Sequence, residues 1–338
     1  MDEIKLVGGI LCGGFGKRLM PLTNSVPKAL LEIRNGYTIL EHELTRLKYA
    51  GIDTVYLLAG YLHEKIREKI GECWNGIKLE YLIEDRPKGT LYGINNLLSS
   101  IDSNTLAVIM NGDIVTDANI KDMISKWVKG TITIMITPLI SPYGIVKTIP
   151  DGKITSFIEK PKLPYYINGG IYLIPKDLEK HFKIYRKGDV ERLIFPSLAK
   201  KGLIRYYKDD DAYWHSIDSI KDLEAVRNEF KNRTDKPWGY EKIITITENY
   251  MVKTLYIMKG YRTSLHLHKK KHETLHIIKG EGIISIEGEQ IYVKPNDLIE
   301  IKPETKHFIR ATKNLLINEY STPHPKDVIR IEDPYGRT

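Results

Sequence analysis

The sequence predicts an α/β domain with a mostly parallel sheet, followed by a separate all-β domain. Three observations predict it. Up to about residue 230, short apolar runs alternate with stretches of helical period. From about residue 238, only short strands separated by Gly, Pro, Asn and Asp are seen. The length of 338 residues suits two cores rather than one.

In the first half, KLVGGIL, TVYLLAG, LEYLIE, TLAVIMNGD and TITIMITPL read as buried strands. Between them, EHELTRLKYA, LHEKIREKIG and NIKDMISKWVKG carry apolar residues three and four apart and end near Gly, as helices do. Strand and helix in alternation imply a sheet covered on both faces. In the second half, VKTLYIMKG, TLHIIKGEGIISIEG, EQIYVKPNDLIEIKP and LLINEYSTP read as strands of a sandwich or small barrel. The boundaries expected are 1–230 and 238–338, with the polar stretch 231–237 as linker.

Composition narrows the function. A net charge of +8 favours anionic ligands. The basic residues are spread along the chain without a nucleic-acid-binding motif, which points to phosphorylated small molecules rather than nucleic acid. The opening MDEIKLVGG lacks the basic and apolar regions of a signal peptide, and no window is apolar enough to span a membrane. Two cysteines, Cys12 and Cys73, make no disulfide framework, so a cytoplasmic setting is expected.

The stretch LCGGFGKRLMPLTNSVPKAL, residues 11–30, has the glycines of a phosphate loop. It is not a Walker A loop, because Leu11 and Arg18 stand where Gly and Ser or Thr are needed. It is not a Rossmann fingerprint either, because Leu19 replaces the third Gly. What remains is a strand, glycines that let backbone amides approach an anion, and cations within reach. The pattern GGxGxRLxPLTxxxPKxL resembles the signature of sugar-1-phosphate nucleotidylyltransferases at every fixed position, with Cys12 where Ala is more usual. The resemblance implies a Rossmann-like nucleotidyltransferase domain. It also implies that Leu11, Gly13, Gly14, Gly16 and Lys17 hold the triphosphate, that Arg18 steadies the departing pyrophosphate, and that Lys28 contacts phosphates near the reacting centre.

Companion motifs follow in the family's order: EDRPKGTLYG, NGDI, YGIV, EKP and NGGIY. By resemblance, Glu84, Gly89, Thr90 and Gly112 complete the nucleotide site, and Gly144, Glu159, Lys160, Asn168 and Gly170 form the sugar-phosphate site. Asp113, at the end of a buried strand, is placed to hold Mg²⁺ against phosphate oxygens. Many relatives carry a second Asp in WxDxGT, whereas this chain reads WHSIDS from Trp214. A cytidylyltransferase-like WxxxDT pattern fits better and assigns the second carboxylate to Asp218, with Ser216 at the commoner position.

The second half contains GYRTSLHLHKKKHETLHIIKG, residues 260–280, which matches the first cupin motif without a gap. His266 and His268 share a strand face by the period of two. Glu273 and His307 complete a set suited to Zn²⁺, Mn²⁺, Co²⁺ or Ni²⁺. His272 has the wrong parity, and the run Lys269, Lys270, Lys271 reads as a solvated turn. KPWGYEK at 236–242 and DVIRIEDPYGR at 327–337 resemble the borders of type II mannose-6-phosphate isomerase domains, implying a jelly-roll cupin in which Arg330 and Arg337 hold phosphate. Two positions depart from that pattern: those domains often carry Gln where His266 stands, and their transferase partners usually read Ser-Gly-Thr-Arg-Leu-Trp.

The resemblance therefore implies GTP and mannose-1-phosphate as substrates, with a sugar-6-phosphate for the cupin. The alternative is a transferase using UTP, dTTP or CTP with a hexose-1-phosphate, whose cupin dimerises the chain or senses sugars. Cupin sheets commonly pair, so a homodimer or larger assembly is expected.

Overall fold

The computed structural model describes residues 4–337, so the opening residues read for a leader lie partly outside it. The chain divides into two compact units, 1–226 and 227–338. No helix among the described residues is long and apolar enough to cross a membrane, and both cysteines are free.

The first unit is built on an eight-stranded sheet in the order Ile204–Lys208, Ile132–Ile140, Lys162–Pro175, Thr105–Asn111, Lys5–Cys12, Thr54–Ala59, Ile77–Ile83, Cys73–Trp74. Its centre is parallel: Lys5–Cys12 lies between Thr54–Ala59 and Thr105–Asn111 and runs with both. Lys162–Pro175 runs antiparallel to its two neighbours. The strands at the centre are apolar on both sides because helices cover both faces. Ile10, Leu57, Val108 and Leu44 fall in one core cluster, and Val7, Leu58, Ile109 and Leu97 in the other.

Sequence rules account for the helices. Ile39–Tyr49 opens with a capping box: Glu41 N–H donates to Thr38 Oγ1 at 3.2 Å, and Thr38 N–H donates to Glu41 Oε2 at 2.8 Å. His63–Ile70 ends at Gly71, whose φ of 78° lets the chain leave the helix. The third expected helix is shorter than its pattern, Ile120–Ser125, because Thr131 O accepts the Trp127 indole N–H and folds the chain back into the next strand.

The second unit is all antiparallel. One sheet holds Arg233–Lys236, Gly239–Ile246, Met251–Ile257, Leu315–Ser321, Glu273–Lys279 and Leu298–Ile301; the other holds Glu289–Val293, Gly282–Ile286, His307–Ala311, Leu265–Leu267 and Ile329–Glu332. Ile257, Leu275, Ile277, Ile284 and Ile317 form its core. One boundary reading needs correction. The expected linker 231–237 contains the strand Arg233–Lys236, paired to Gly239–Ile246. Its polarity reflects a buried ion pair, Arg233 to Asp235 at 2.9 Å, rather than solvent exposure.

Candidate active site

At the carboxyl ends of the central parallel strands, the first unit encloses a cavity of about 380 Å³. That is where open parallel sheets place ligands. Every residue expected in the nucleotide and catalytic sets lines it: Leu11, Gly13, Gly14, Gly16, Lys17, Arg18, Lys28, Glu84, Gly89, Thr90, Gly112, Asp113 and Asp218.

The floor is an alternation of charges. Lys28 Nζ is 2.8 Å from Asp113 Oδ2 and 3.6 Å from Asp218 Oδ1, and Arg18 Nη2 is 2.7 Å from the same Asp218 oxygen. Asp113 follows the strand Thr105–Asn111, and Asp218 follows the strand Trp214–Ser216. The strand after Asp113, Ile114–Thr116, pairs antiparallel with Trp214–Ser216, which brings the two carboxylates together. Ser216 Oγ donates to Asp218 Oδ2 at 3.2 Å, so serine supports the carboxylate. Two carboxylates within reach of one ammonium fit a divalent cation bound with phosphates, because oxygen ligands of like charge converge there.

Two of the glycines sit where a side chain has little room. A Cβ on Gly13 would stand 2.6 Å from Glu84 Oε1, and one on Gly112 would stand 2.5 Å from the Leu11 carbonyl. Glu84 Oε2 accepts from Lys88 N–H at 3.0 Å, and partial burial raises its pKa. Gly16 takes φ 62°, and Thr23 Oγ1 donates to its carbonyl at 2.9 Å, which fixes the loop ahead of Lys17 and Arg18.

The sugar-side residues lie outside that cavity. Gly144 and Glu159 are adjacent, since a Cβ on Gly144 would stand 2.9 Å from Glu159 Oε2. Glu159, Lys160 and Asn168 are exposed, whereas Gly170 is buried against Ile114 with φ 73°. Sequence reasoning missed Asn111, Tyr172, Glu191 and Glu43. Tyr172 is fully buried and donates its hydroxyl proton to Glu191 Oε1 at 3.2 Å. Glu43 is fully buried beneath Asp113 and Lys28, with neither carboxylate oxygen hydrogen-bonded; burial and the Asp113 charge hold its pKa well above the usual range. Asn111 and Tyr172 lie inside the NGDI and NGGIY motifs, so a signal was present at both, whereas Glu43 and Glu191 carry no local motif.

The second unit holds another cluster. His266, His268 and His307 offer ligand atoms that all lie within 4.8 Å of one another. Each ring gives Nδ1 to a main-chain carbonyl: Ser264 at 2.8 Å, Asp327, and Thr305 at 3.0 Å, respectively. A carbonyl only accepts, so each Nδ1 carries a proton; the Nε2 atoms of His266 and His268 are left to coordinate, and that of His307 faces Glu273. His268 Nε2 is buried without a hydrogen-bond partner, and burial pushes His266 down to about 3. Glu273 Oε1 stands 3.0 Å from His307 Nε2. An orphaned imidazole nitrogen and a carboxylate beside converging lone pairs fit a first-row divalent metal.

Lys271 corrects the reading of its run. Lys269 and Lys270 are exposed, but Lys271 is buried and pairs with Glu273 Oε2 and with Glu319 Oε1, the latter at 3.0 Å. Burial opposes the charge of Glu273, yet His307 and Lys271 keep its pKa well below the usual range. His272 points outward to Glu300 at 2.8 Å. Arg330 is the cross-strand partner of His266, whereas Arg337 is held by Asp333 at 2.7 Å.

Comparison with known proteins agrees with this partition. The nucleotidyl transferase family profile matches residues 7–233, and the cupin domain profile matches residues 254–315. A mannose-1-phosphate guanylyltransferase of Mycobacterium tuberculosis is 31% identical over 222 residues, covering 63% of this chain and 61% of that protein. The catalytic subunit beta of mannose-1-phosphate guanylyltransferase from Danio rerio is 32% identical over 244 residues, covering 66% of each. The chain thus spans less than two thirds of the length of these relatives. The crystal structure of HddC from Yersinia pseudotuberculosis shares the fold, with a TM-score of 0.54 and 24% identity over 67% of this chain and 99% of that one. With its glycine loop, its paired carboxylates and a family match over most of its length, the chain belongs to the nucleotidyl transferase family and carries a cupin domain behind that fold.

Proposed function

We propose that the chain is a sugar-1-phosphate nucleotidylyltransferase that makes GDP-mannose from GTP and mannose-1-phosphate and releases pyrophosphate. The observation that carries this reading is the Asp113–Lys28–Asp218–Arg18 alternation at the floor of the glycine-lined cavity. A phosphate oxygen of the sugar phosphate attacks the α-phosphorus in line, and the bond from that phosphorus to the bridging oxygen of the β-phosphate breaks. Lys28 offsets charge on the phosphate undergoing transfer. Arg18, whose side chain is 76% exposed, is free to follow the leaving pyrophosphate. Asp113 and Asp218 would hold Mg²⁺, which would supply charge neutralisation to the phosphates. Positioning and electrostatics supply the catalysis. Glu159 and Lys160 receive the sugar phosphate, with Gly144, Asn168 and Gly170 shaping its site. Guanine and mannose are supported by the relatives, which are mannose-1-phosphate guanylyltransferases. The alternative substrates are UTP, dTTP or CTP with another hexose-1-phosphate. The test is pyrophosphate release across a grid of nucleoside triphosphates and sugar-1-phosphates with Mg²⁺. Fastest release with GTP and mannose-1-phosphate supports the reading, and release with no pair overturns it.

We further propose that the cupin unit is a metal-dependent mannose-6-phosphate isomerase, so that one chain supplies its own hexose phosphate route. The three converging Nε2 atoms support a metal site, and Arg330 beside His266 supports an anionic substrate. The metal, Zn²⁺, Mn²⁺, Co²⁺ or Ni²⁺, would polarise the sugar carbonyl. Conversion of mannose-6-phosphate to fructose-6-phosphate, lost with chelator and in His268→Ala, is the expected result. No conversion with any of these metals leaves the cupin as a dimerising or sugar-sensing module. A cytoplasmic setting and a homodimer or larger assembly belong to the same proposal, the last tested by light scattering.

A further inference from the structure

Glu191 joins the nucleotide side of the cavity to the sugar side. It sits in the short helix Val190–Leu193, where its Oε2 accepts from Thr90 Oγ1 at 3.1 Å and its Oε1 accepts from the Tyr172 hydroxyl at 3.2 Å. On the nucleotide side, Val190 N–H donates to Thr90 Oγ1 at 3.0 Å, and Leu91 N–H donates to the Gly188 carbonyl at 3.0 Å. On the sugar side, Asn168 Nδ2 donates to the Tyr172 oxygen at 2.8 Å. Asn168 Oδ1 in turn accepts from Gly170 N–H at 2.9 Å.

The donor directions are forced. A carboxylate only accepts, so Tyr172 must spend its one proton on Glu191. Its oxygen then receives an amide proton of Asn168, and that amide is held in one orientation, with Oδ1 turned to the Gly170 N–H. By the same logic Thr90 spends its proton on Glu191, which keeps its lone pairs on Val190.

We propose that Glu191 is a positioning residue that sets the hydrogen-bond direction of both subsites at once, fixing Thr90 for the nucleotide and Asn168 for the sugar. This rests on the transferase reading above. Steady-state kinetics of pyrophosphate release test it with one substrate varied at a time. Thr90→Val is expected to raise KM for the nucleotide alone, and Tyr172→Phe to raise KM for the sugar phosphate alone. Glu191→Ala is expected to raise both KM values roughly tenfold. In the Glu191→Ala background, Tyr172→Phe should add less than about threefold, because the two residues act as a unit. Glu191→Gln provides a second reading should the alanine variant not fold. Tyr172 is fully buried and cannot leave its proton unpaired, so the glutamine oxygen faces Tyr172 and the amide faces Thr90, where solvent can compensate. That variant should keep the sugar-phosphate KM and raise the nucleotide KM. Unchanged KM values in Glu191→Ala, full additivity with Tyr172→Phe, or a glutamine variant that raises only the sugar-phosphate KM would overturn the proposal. Absence of pyrophosphate release by the unaltered protein would instead sink the transferase reading itself.

Discussion

Lys28 Nζ lies 2.8 Å from Asp113 Oδ2 although 85 positions separate the two residues in the chain. The same ammonium is 3.6 Å from Asp218, which also holds Arg18. Two cations and two carboxylates therefore balance at the cavity floor. That arrangement holds Lys28 ready for phosphate without leaving an unpaired charge half-buried, a state that would cost stability.

Removing either partner should separate chemistry from folding. Lys28→Ala and Asp113→Asn are each expected to lower kcat/KM for pyrophosphate release by roughly 10²–10³-fold. Circular dichroism should show an unchanged fold, since both side chains sit at a solvent-reached floor. Asp218→Asn should cost a similar factor, while Ser216→Ala should cost less than about threefold, because the serine only supports Asp218 through one hydrogen bond. The reverse ranking would move the second carboxylate role away from Asp218.

The glycine loop and its companions were legible because each is a contiguous run whose residue types are dictated by space or charge. Gly13 and Gly112 are cases in point, since a side chain at either would strike Glu84 or the Leu11 carbonyl. Asp218 was readable only by register, and the strand pairing of Trp214–Ser216 with Ile114–Thr116 explains how it arrives beside Asp113. Lys271 was misread because hydropathy treats three consecutive lysines alike. Its burial depends on Glu319, 48 positions further on. Glu191 escaped for the same reason: its two partners, Thr90 at the start of a helix and Tyr172 in a strand, lie 101 and 19 positions away.

Gly89 offers a probe of the nucleotide wall, at some cost in stability. It has φ 92°, and a Cβ there would stand 2.3 Å from the Gly188 carbonyl. Gly89→Ala must push apart the segments that Leu91 and Gly188 hold together. The expected outcome is a nucleotide KM raised about tenfold with kcat changed less than about threefold, read by pyrophosphate release. Equal loss in both parameters would show that Gly89 serves the reaction step rather than binding.

Glu43 makes stability fall as pH rises. Burial and the Asp113 charge raise its folded pKa well above 4.5, so the folded state keeps a proton that the unfolded state loses. The native state is then penalised progressively above about pH 4.5, with a limiting slope of about 1.4 kcal/mol per pH unit. Glu43→Gln removes that titration. Urea denaturation should find the variant equal to the unaltered protein at pH 4 and more stable at pH 7, by an amount that grows between those values. A pH-independent difference would mean that Glu43 is ionised and paired in the folded chain.

The cupin cluster makes the sharpest contrast between a ligand and its counter-charge. His268→Ala removes a buried nitrogen that no hydrogen bond satisfies, so Co²⁺ affinity by calorimetry should fall at least roughly a hundredfold. Asp327 holds the 269–271 loop by accepting from three main-chain N–H groups, at 3.1, 2.6 and 2.9 Å. Asp327→Ala should therefore loosen His268 and weaken Co²⁺ binding about tenfold. Lys271 acts in the opposite sense, because its ammonium neutralises Glu273 and repels an incoming cation. Lys271→Met alone would strand Glu319, so the informative protein is Lys271→Met with Glu319→Gln. That pair should bind Co²⁺ about tenfold more tightly than the unaltered chain, with the visible spectrum shifting as Glu273 becomes free to coordinate. Weaker binding by the double variant would mean that Lys271 positions Glu273 for the metal rather than competing with it.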